Sequence, residues 1–177
     1  MAYYRRVRLR RKVCLLGASG VGKSSLVRRF VEDRFDQAQD PSIAMSIFSG
    51  SVELGDVTLE MMLWDPAGTD TGAQYNRSFI SGASGLIFVV DATKPQTLDH
   101  LLEAQAKERG FIGSRPAILV VNKVDLTGDF ALSKAQIDAA SKLDWRLIQV
   151  SAKTGNNVGQ AFTKLAELML EARKATG

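Results

Sequence analysis

The stretch Gly17-Ala18-Ser19-Gly20-Val21-Gly22-Lys23-Ser24 fits the pattern G-x-x-x-x-G-K-[ST] and decides the fold. Residues 13–16 before it form a short apolar run, which is typical of a strand buried on both faces of a parallel sheet. After it, apolar side chains recur at helical spacing. Glycines let successive backbone N–H groups point inward, and the start of a helix adds partial positive charge. The stretch therefore predicts a phosphate-binding loop between a strand and a helix.

Two residues of this loop supply chemistry that a tight turn does not need. Lys23 can reach the β- and γ-phosphates of a nucleotide, and Ser24 offers a hydroxyl to Mg²⁺, which prefers oxygen ligands. The alternative, a glycine-rich turn that only allows tight packing, leaves both residues unexplained. The residues expected around the phosphates are Gly17, Ala18, Ser19, Gly20, Val21, Gly22, Lys23, Ser24 and Ser25.

The composition is that of an ordinary globular protein. The chain has 177 residues, of which 45% are hydrophobic and 24% charged, and this fits a single domain with its own core. No segment approaches the roughly 20 apolar residues of a membrane-spanning helix. The basic N-terminus lacks the apolar core of a signal peptide. We therefore expect a cytoplasmic protein.

Cysteine and histidine are too scarce for disulfide, zinc or triad chemistry. Cys14 is the only cysteine and lies in the predicted first strand, so we expect it to be a small buried hydrophobe. His100 is the only histidine and lies on a polar stretch, so we expect a solvated helix residue. These counts exclude an internal disulfide and a histidine-based catalytic triad.

The basic charge is concentrated near the N-terminus. The formal net charge is +4, but residues 5–12 hold six basic side chains, so the remainder of the chain is slightly acidic. Such a segment can make weak contact with an anionic membrane or with nucleic acid. It can equally be a solvated strand leading into the first one, because Val7 and Leu9 alternate with arginines. We divide the chain into a basic N-terminal arm, residues 1–11, and a domain, residues 12–177.

The order of the remaining segments predicts an α/β fold. The pair Gly55-Asp56 is turn-like and separates two predicted strands of an antiparallel hairpin. Strands are predicted at 45–54, 58–64, 86–90, 117–121 and 146–150, helices at 98–109, 133–143 and from residue 158 onward, and loops at 32–42 and 69–84, the latter with a short helix. We expect a mostly parallel six-stranded sheet with one antiparallel edge strand, helices on both faces, and ligand sites at the carboxyl ends of the strands.

Further motifs follow the predicted strands. They are Asp65-Pro66-Ala67-Gly68, Asn122-Lys123-Val124-Asp125 and Ser151-Ala152-Lys153, with Ser42 in an earlier loop. Their order and spacing resemble those of a Ras-like small GTPase, closest to the Rab and Ras branches. The resemblance extends from about residue 12 to the C-terminal helix. It implies a P-loop NTPase fold that binds GTP or GDP with Mg²⁺.

Asp125 has the chemistry for reading guanine. A carboxylate can accept hydrogen bonds from both the ring N–H and the exocyclic amine of guanine, whereas adenine has no such pair of donors. The alternative is an aspartate that only serves the turn after a strand. The resemblance further implies that Asn122 braces the base-binding loops and that the stem of Lys123 lies along the base and ribose. The other residues it implies at the base are Phe35, Ser151, Ala152 and Lys153.

The metal and the third phosphate are assigned by the same resemblance. It implies that Asp65 holds Mg²⁺ through water, and that the backbone N–H of Gly68 contacts the γ-phosphate. Ser42 stands where the family carries a threonine that binds Mg²⁺ and closes the first switch. The expected metal set is therefore Ser24, Ser42 and, through water, Asp65.

Thr69 is the most consequential departure from the family pattern. It stands directly after Gly68, where most relatives have the glutamine that orients the attacking water, and threonine is too short for that role. The Rap branch also has threonine here, and its activating partners supply the missing group. We expect slow intrinsic hydrolysis, with Lys23, Gly68 and Thr69 at the reacting phosphate.

Other departures affect the expected partner surface. Pro66 replaces a threonine and fixes φ near the second switch, and Ala44 replaces a glycine of the first switch. Ile47 stands where Rab proteins carry a partner-binding phenylalanine, although Trp64 matches their tryptophan. Trp64 is either exposed as a partner contact or buried in the hairpin.

No lipid anchor is expected. Residues 173–177 contain no cysteine for prenylation, and Ala2 replaces the glycine that N-myristoylation requires. Any membrane contact is then left to the basic arm or to a partner. We expect a monomer that works with an exchange factor, a GTPase-activating protein and effector proteins.

Two functions from different classes fit the sequence. The first is a guanine-nucleotide switch that hydrolyses GTP as a timer. The alternative is a guanine-nucleotide-binding scaffold with little or no turnover, suggested by Ser42, Ala44 and Thr69. A P-loop kinase lacks support because no acceptor lid is evident in the sequence.

Overall fold

A computed structural model of the chain describes residues 6–35, 45–66, 77–129 and 131–176. The secondary structure alternates between strands and helices, as the sequence pattern predicts. The strands are β1 (Val7–Leu16), β2 (Met45–Leu54), β3 (Val57–Pro66), β4 (Gly85–Asp91), β5 (Ala117–Asn122) and β6 (Arg146–Gln149). The helices are α1 (Lys23–Glu32), α2 (Arg77–Ile80), α3 (Gln96–Ile112), α4 (Lys134–Ser141) and α5 (Val158–Thr176).

The six strands form one sheet in the order β2-β3-β1-β4-β5-β6. β2 is antiparallel to β3, and every other neighbouring pair is parallel. The prediction of a mostly parallel six-stranded sheet with one antiparallel edge strand is confirmed. All residues of β4 and β5 are buried, which explains why these strands read as continuous apolar runs rather than as alternating ones.

Helices cover both faces of the sheet, and each face has its own apolar cluster. On one face α1 and α5 pack together, with the rings of Phe30 and Phe162 stacked 3.9 Å apart between centroids. On the other face the rings of Phe88 and Trp145 are also stacked at 3.9 Å. Cys14 is fully buried in this second cluster, as expected, and burial raises the pKa of its thiol to about 11.

The cationic N-terminal segment is largely part of the sheet. β1 begins at Val7, so it includes residues 7–11, which the sequence analysis set apart as a basic arm. Arg10 lies opposite Glu60 of β3 and donates to both of its carboxylate oxygens at 3.1 Å. Arg6 donates to Glu53 of β2 at 2.7 Å. These exposed pairs offset part of the local positive charge, and because solvent screens them they contribute little to stability.

The ends of the helices differ somewhat from the predicted bounds. Ser133 lies outside α4 as its N-cap, because its side chain accepts a hydrogen bond from the Gln136 backbone and Gln136 reaches back in a capping box. His100 is exposed on α3, as predicted. None of the helices among the described residues is long and apolar enough to cross a membrane.

Candidate functional site

The phosphate-binding loop lies at the carboxyl edge of the sheet and joins β1 to α1. Gly17 and Gly22 have φ values of +151° and +95°, which only glycine adopts easily. A Cβ at Gly17 would lie 2.2 Å from the carbonyl oxygen of Val89 on β4, and one at Gly22 would lie 2.3 Å from the amide nitrogen of Asn122. These two glycines therefore let the loop approach both β4 and the end of β5.

Lys23 begins α1, and its ammonium is folded back over the loop. Nζ donates to the carbonyl oxygens of Gly17 at 2.8 Å and Ala18 at 3.0 Å, and the residue is buried. Gly22 is the N-cap and has no side chain with which to cap the helix. The backbone curve, the start of a helix and a buried lysine are together the features that favour an anion at such a loop.

Ser24 and Asp65 meet beside this loop. The Ser24 hydroxyl donates to Oδ2 of Asp65, which ends β3 as a buried residue. Burial raises the pKa of Asp65, against the opposing effects of the Ser24 hydrogen bond and of Lys23. Oδ1 of Asp65 is buried and has no hydrogen-bond partner among the described residues. A hydroxyl and a carboxylate with one unused buried oxygen are a donor set that fits Mg²⁺.

Asn122 connects three loops at the opposite side of the site. Its amide nitrogen donates to the carbonyl oxygen of Val21 at 2.9 Å, and its amide oxygen accepts from the backbone N–H of Ala152 at 3.0 Å. The resemblance places Ala152 at the base, and in the structure its backbone N–H is bonded to Asn122. The end of β5 is thus tied both to the phosphate-binding loop and to the loop after β6.

The carboxylate of Asp125 is held by the loop after β6. The Ser151 hydroxyl donates a hydrogen bond to Oδ1 of Asp125 at 2.7 Å and accepts one from the backbone N–H of Thr154 at 3.0 Å. Asp125 is half-buried. A link across 26 residues is more than a turn aspartate needs, and it fixes the direction of the carboxylate.

Lys123 also reaches the phosphate-binding loop, and it has a buried counter-charge. Its φ is +68°, and Nζ donates to the carbonyl oxygen of Gly20 at 2.7 Å and to Oδ2 of Asp91 at 2.6 Å. Asp91 ends β4 and was not among the predicted site residues. Its position at the end of an apolar strand, at the same edge as the motifs, was the available signal.

Arg29 is a second contributor that the sequence did not reveal. This α1 residue donates to the carbonyl oxygens of Ala152 at 2.9 Å and Lys153 at 2.6 Å, and to Oδ1 of Asp33 at 3.2 Å. Asp33 lies two residues before Phe35, which is half-buried. Arg29 thus joins the loop after β6 to the segment that follows α1.

Trp64 is neither fully exposed nor buried within the hairpin. Nζ of Lys12 lies 3.9 Å from the centroid of its ring, and the Phe79 ring meets it edge-on at 6.3 Å. Across the hairpin it faces Ile47, which is exposed. One part of the indole is therefore covered by β1 and α2, and the rest is accessible beside Ile47.

The structure brings most of the predicted site residues together at one edge of the sheet. The described ones lie in the phosphate-binding loop and the start of α1, at the ends of β3 and β5, and in the loops after β5 and β6, while Phe35 follows α1. Ala44, Ser42, Gly68 and Thr69 lie outside the described residues. The predicted contacts of Ser42, Gly68 and Thr69 with a nucleotide or metal therefore stay predictions.

Comparison with known proteins identifies the family. A model of the Ras family matches residues 12–171. Ras-related protein RABC1 of Arabidopsis thaliana is 36% identical over 169 residues, which cover 93% of this chain and 79% of that protein. Ras-related protein Rab-4B of Homo sapiens is 31% identical over 163 residues, which cover 90% of this chain and 76% of that protein. The chain therefore belongs to the Ras family of small GTPases.

Proposed function

We propose that this small GTPase binds GTP and GDP with Mg²⁺ as a molecular switch and hydrolyses GTP slowly until an activating protein assists it. The observation that carries the proposal is the bridge formed by Asn122 between Val21 and Ala152. It holds the phosphate-binding loop at a fixed distance from the loops expected to read guanine. A nucleotide that spans both parts therefore meets a preformed site, which supports retention of the whole guanine nucleotide.

The magnesium part of the proposal rests on Ser24 and Asp65. Their hydroxyl and carboxylate would hold the ion beside the phosphates, with Ser42 as a further ligand from the first switch. When bound, Mg²⁺ neutralises negative charge on the β- and γ-phosphate oxygens. The unused Oδ1 of Asp65 supports a role for this carboxylate in accepting a hydrogen bond from water on the ion.

The hydrolytic step requires water to attack the γ-phosphorus in line with the leaving oxygen. Lys23 places a buried positive charge beside the phosphate-binding loop, where it stabilises charge on the phosphate oxygens. The backbone N–H of Gly68 would contact the γ-phosphate, and Thr69 is too short to orient the water. A group supplied by a partner, worth on the order of 10³ to 10⁵ in rate, would then set the speed of the switch.

The test is single-turnover phosphate release from protein loaded with GTP and Mg²⁺. We expect slow release above a protein-free blank, and we expect Lys23→Ala to abolish it because the phosphates lose their buried counter-charge. Lys164→Ala is the matched control, since Lys164 pairs with Glu167 on α5 and is not a predicted site residue. Failure of the wild-type protein to retain GTP would contradict the proposal.

The slow rate has a separate test. We expect Thr69→Gln to raise the intrinsic rate of phosphate release, because glutamine is long enough to orient water at the γ-phosphate. Both proteins are loaded to the same extent and compared without partners. An unchanged rate would show that Thr69 does not limit hydrolysis.

The scaffold remains the second candidate, and the residues at Ser42 and Thr69 favour it. A scaffold would retain GTP without releasing phosphate, and addition of a cell extract would not change this. A switch that depends on an activating protein would instead release phosphate once the extract is added. The two functions are thus separated by one added component.

Weak contact with an anionic membrane is a minor part of the proposal. Arg6 and Arg10 are paired with Glu53 and Glu60, so less charge is available than the sequence suggests. We expect at most weak, salt-sensitive binding to vesicles that contain anionic lipid. Sedimentation with such vesicles at low and physiological salt measures it, and tight binding at physiological salt would contradict this expectation.

A further inference from the structure

Asp91 has a buried carboxylate whose two oxygens serve different purposes. Oδ1 accepts hydrogen bonds from the backbone N–H of Thr93 at 2.9 Å and from the Thr93 hydroxyl at 2.7 Å. This is a local turn stabilised by an aspartate two residues before the donor. Oδ2 accepts Nζ of Lys123, which is 32 residues away in the chain. The local turn accounts for one oxygen and leaves the contact with Lys123 to be explained.

The contact with Lys123 is an ion pair in a protected place. The Asp91 side chain is 1% exposed and that of Lys123 is 31% exposed, with 2.6 Å between Nζ and Oδ2. Despite its burial, the pKa of Asp91 lies below its ordinary value, because Lys123 and Thr93 donate to the ionised form. The carboxylate is therefore charged at neutral pH and attracts the ammonium strongly.

The same ammonium bonds to the phosphate-binding loop. Nζ of Lys123 donates to the carbonyl oxygen of Gly20 at 2.7 Å, so one lysine joins the end of β4, the segment after β5 and the loop. Lys123 itself has a left-handed backbone, with φ at +68°. Such a conformation is unfavourable for a lysine and persists where surrounding contacts fix it. The ion pair with Asp91 is one of these contacts.

We propose that Asp91 is a positioning residue that slows release of the guanine nucleotide by holding Lys123 against Gly20. This inference rests on the proposed function, because it assumes that the nucleotide lies between the phosphate-binding loop and the segment that contains Lys123. Asp91 does not touch the nucleotide. It acts through the lysine ammonium, which closes the side of the site between β4 and β5.

Two variants of Asp91 separate its role in the local turn from its role in the ion pair with Lys123. Asp91→Asn keeps an oxygen for the N–H of Thr93 but removes the charge that attracts Lys123. Asp91→Glu keeps the charge but lengthens the side chain and disturbs the turn. If Asp91 positions Lys123, the asparagine variant releases nucleotide faster and the glutamate variant is at least partly rescued. If Asp91 serves only the turn, the order of the two variants is reversed.

The assay is release of a fluorescent N-methylanthraniloyl-GDP from the full chain with Mg²⁺, chased by excess GDP. We expect Asp91→Asn to accelerate release roughly tenfold, the usual effect of losing one charge-assisted hydrogen bond. In a Lys123→Met background the same substitution should give no further acceleration, since its target is already gone. Glu167→Gln, which breaks the ion pair with Lys164 on α5, is the matched control and should release at the wild-type rate.

A second ligand tests whether Asp91 acts through Lys123 or through the residue that reads the base. Inosine diphosphate (IDP) lacks the exocyclic amine from which the Asp125 carboxylate is expected to accept a hydrogen bond. Because the ammonium of Lys123 bonds to the loop at Gly20 and to Asp91, Asp91→Asn should accelerate release of GDP and IDP by the same factor. A factor that differs between the two ligands would show that Asp125 has moved, and would overturn the inference.

Several outcomes overturn this inference in distinguishable ways. Equal release rates for wild-type protein and Asp91→Asn overturn it, as does an acceleration that persists undiminished with Lys123→Met. Circular dichroism of each loaded variant identifies loss of fold. If Asp91→Asn unfolds, the release rates of Asp91→Glu and Lys123→Met are compared with wild type instead. Wild-type release from Lys123→Met, or faster release from Asp91→Glu than from Lys123→Met, would then overturn the inference. A wild-type protein that retains no nucleotide overturns the proposed function as well.

Discussion

Replacing Asn122 by alanine should loosen the whole site, because this side chain holds two other segments. The change removes a donor to the carbonyl oxygen of Val21 at 2.9 Å and an acceptor for the N–H of Ala152 at 3.0 Å. Asn122, Val21 and Ala152 are all buried, so each backbone group loses its partner where water has little access. An unsatisfied buried group costs about 1–3 kcal/mol, which gives about 2–6 kcal/mol for the pair.

The loss should divide between stability and nucleotide retention. A total stability of about 5–15 kcal/mol is usual for a domain, so the Asn122→Ala protein should remain folded but be clearly weakened. We expect the free energy of unfolding to fall by at least about 2 kcal/mol in urea titrations of the nucleotide-free protein. Release of fluorescent GDP should accelerate by at least about tenfold, because the two loops are no longer held together.

A matched control and a clear contrary result complete this prediction. Gln136→Ala also removes a side-chain amide with several hydrogen bonds, here a half-buried one. These bonds lie at the capping box of α4 and reach Asp99 of α3, and neither Ser133 nor Asp99 is a predicted site residue. The Gln136→Ala variant should lower stability with little change in the release rate. If Asn122→Ala changed the free energy of unfolding by less than about 0.5 kcal/mol and left release unchanged, the bracing role would be refuted.

Three further predictions follow from individual residues. Gly22→Ala should weaken nucleotide binding in fluorescence titrations by at least about tenfold, because its Cβ would lie 2.3 Å from the Asn122 amide; unchanged affinity would contradict this steric reasoning. The Cys14 thiol, with its pKa raised to about 11, should resist a disulfide reagent at pH 8 in native protein and react at once in urea; rapid native reaction would contradict its burial. Because the pKa of Asp91 is lowered by folding, its ionised form stabilises the protein fully above the ordinary carboxyl pKa near 3.8, and the stabilisation is lost as pH falls through the lower folded value. The difference in unfolding free energy between wild type and Asp91→Asn should therefore be constant from pH 5 to 7 and shrink below about pH 4, and a difference that grew there would refute the sign.

Local patterns were sufficient for the order of the elements and for placing most of the described candidate residues at one edge of the sheet. The apolar runs of β4 and β5 stand out because both faces of these strands are covered. The parallel arrangement then brings their polar ends, including Asn122, to one edge. The position of the phosphate-binding loop followed from the spacing of its glycines and Lys23. These residues are close together in the chain, so their spacing is visible in the sequence itself.

The charge pattern near the N-terminus was harder to interpret from sequence. Alternation of Val7 and Leu9 with arginines fits a strand, but the same residues also fit a solvated arm. Only pairing with β3 decides between them, because Arg10 then lies opposite Glu60. Trp64 was ambiguous for the same reason, since its cover comes from Lys12 and Phe79 on other elements.

The sequence determined the order of motifs that the family shares, the alternation of strands and helices, and the prediction that the loop from Gly17 to Ser24 holds phosphate. Each of these depends on residues close together in the chain, where backbone geometry links spacing to structure. The tertiary structure alone decided that Arg29 supports the loop at Ala152, 123 residues away, and that Asp91 holds Lys123. Such contacts depend on how the crossovers bring the strand ends together, and no local spacing encodes them.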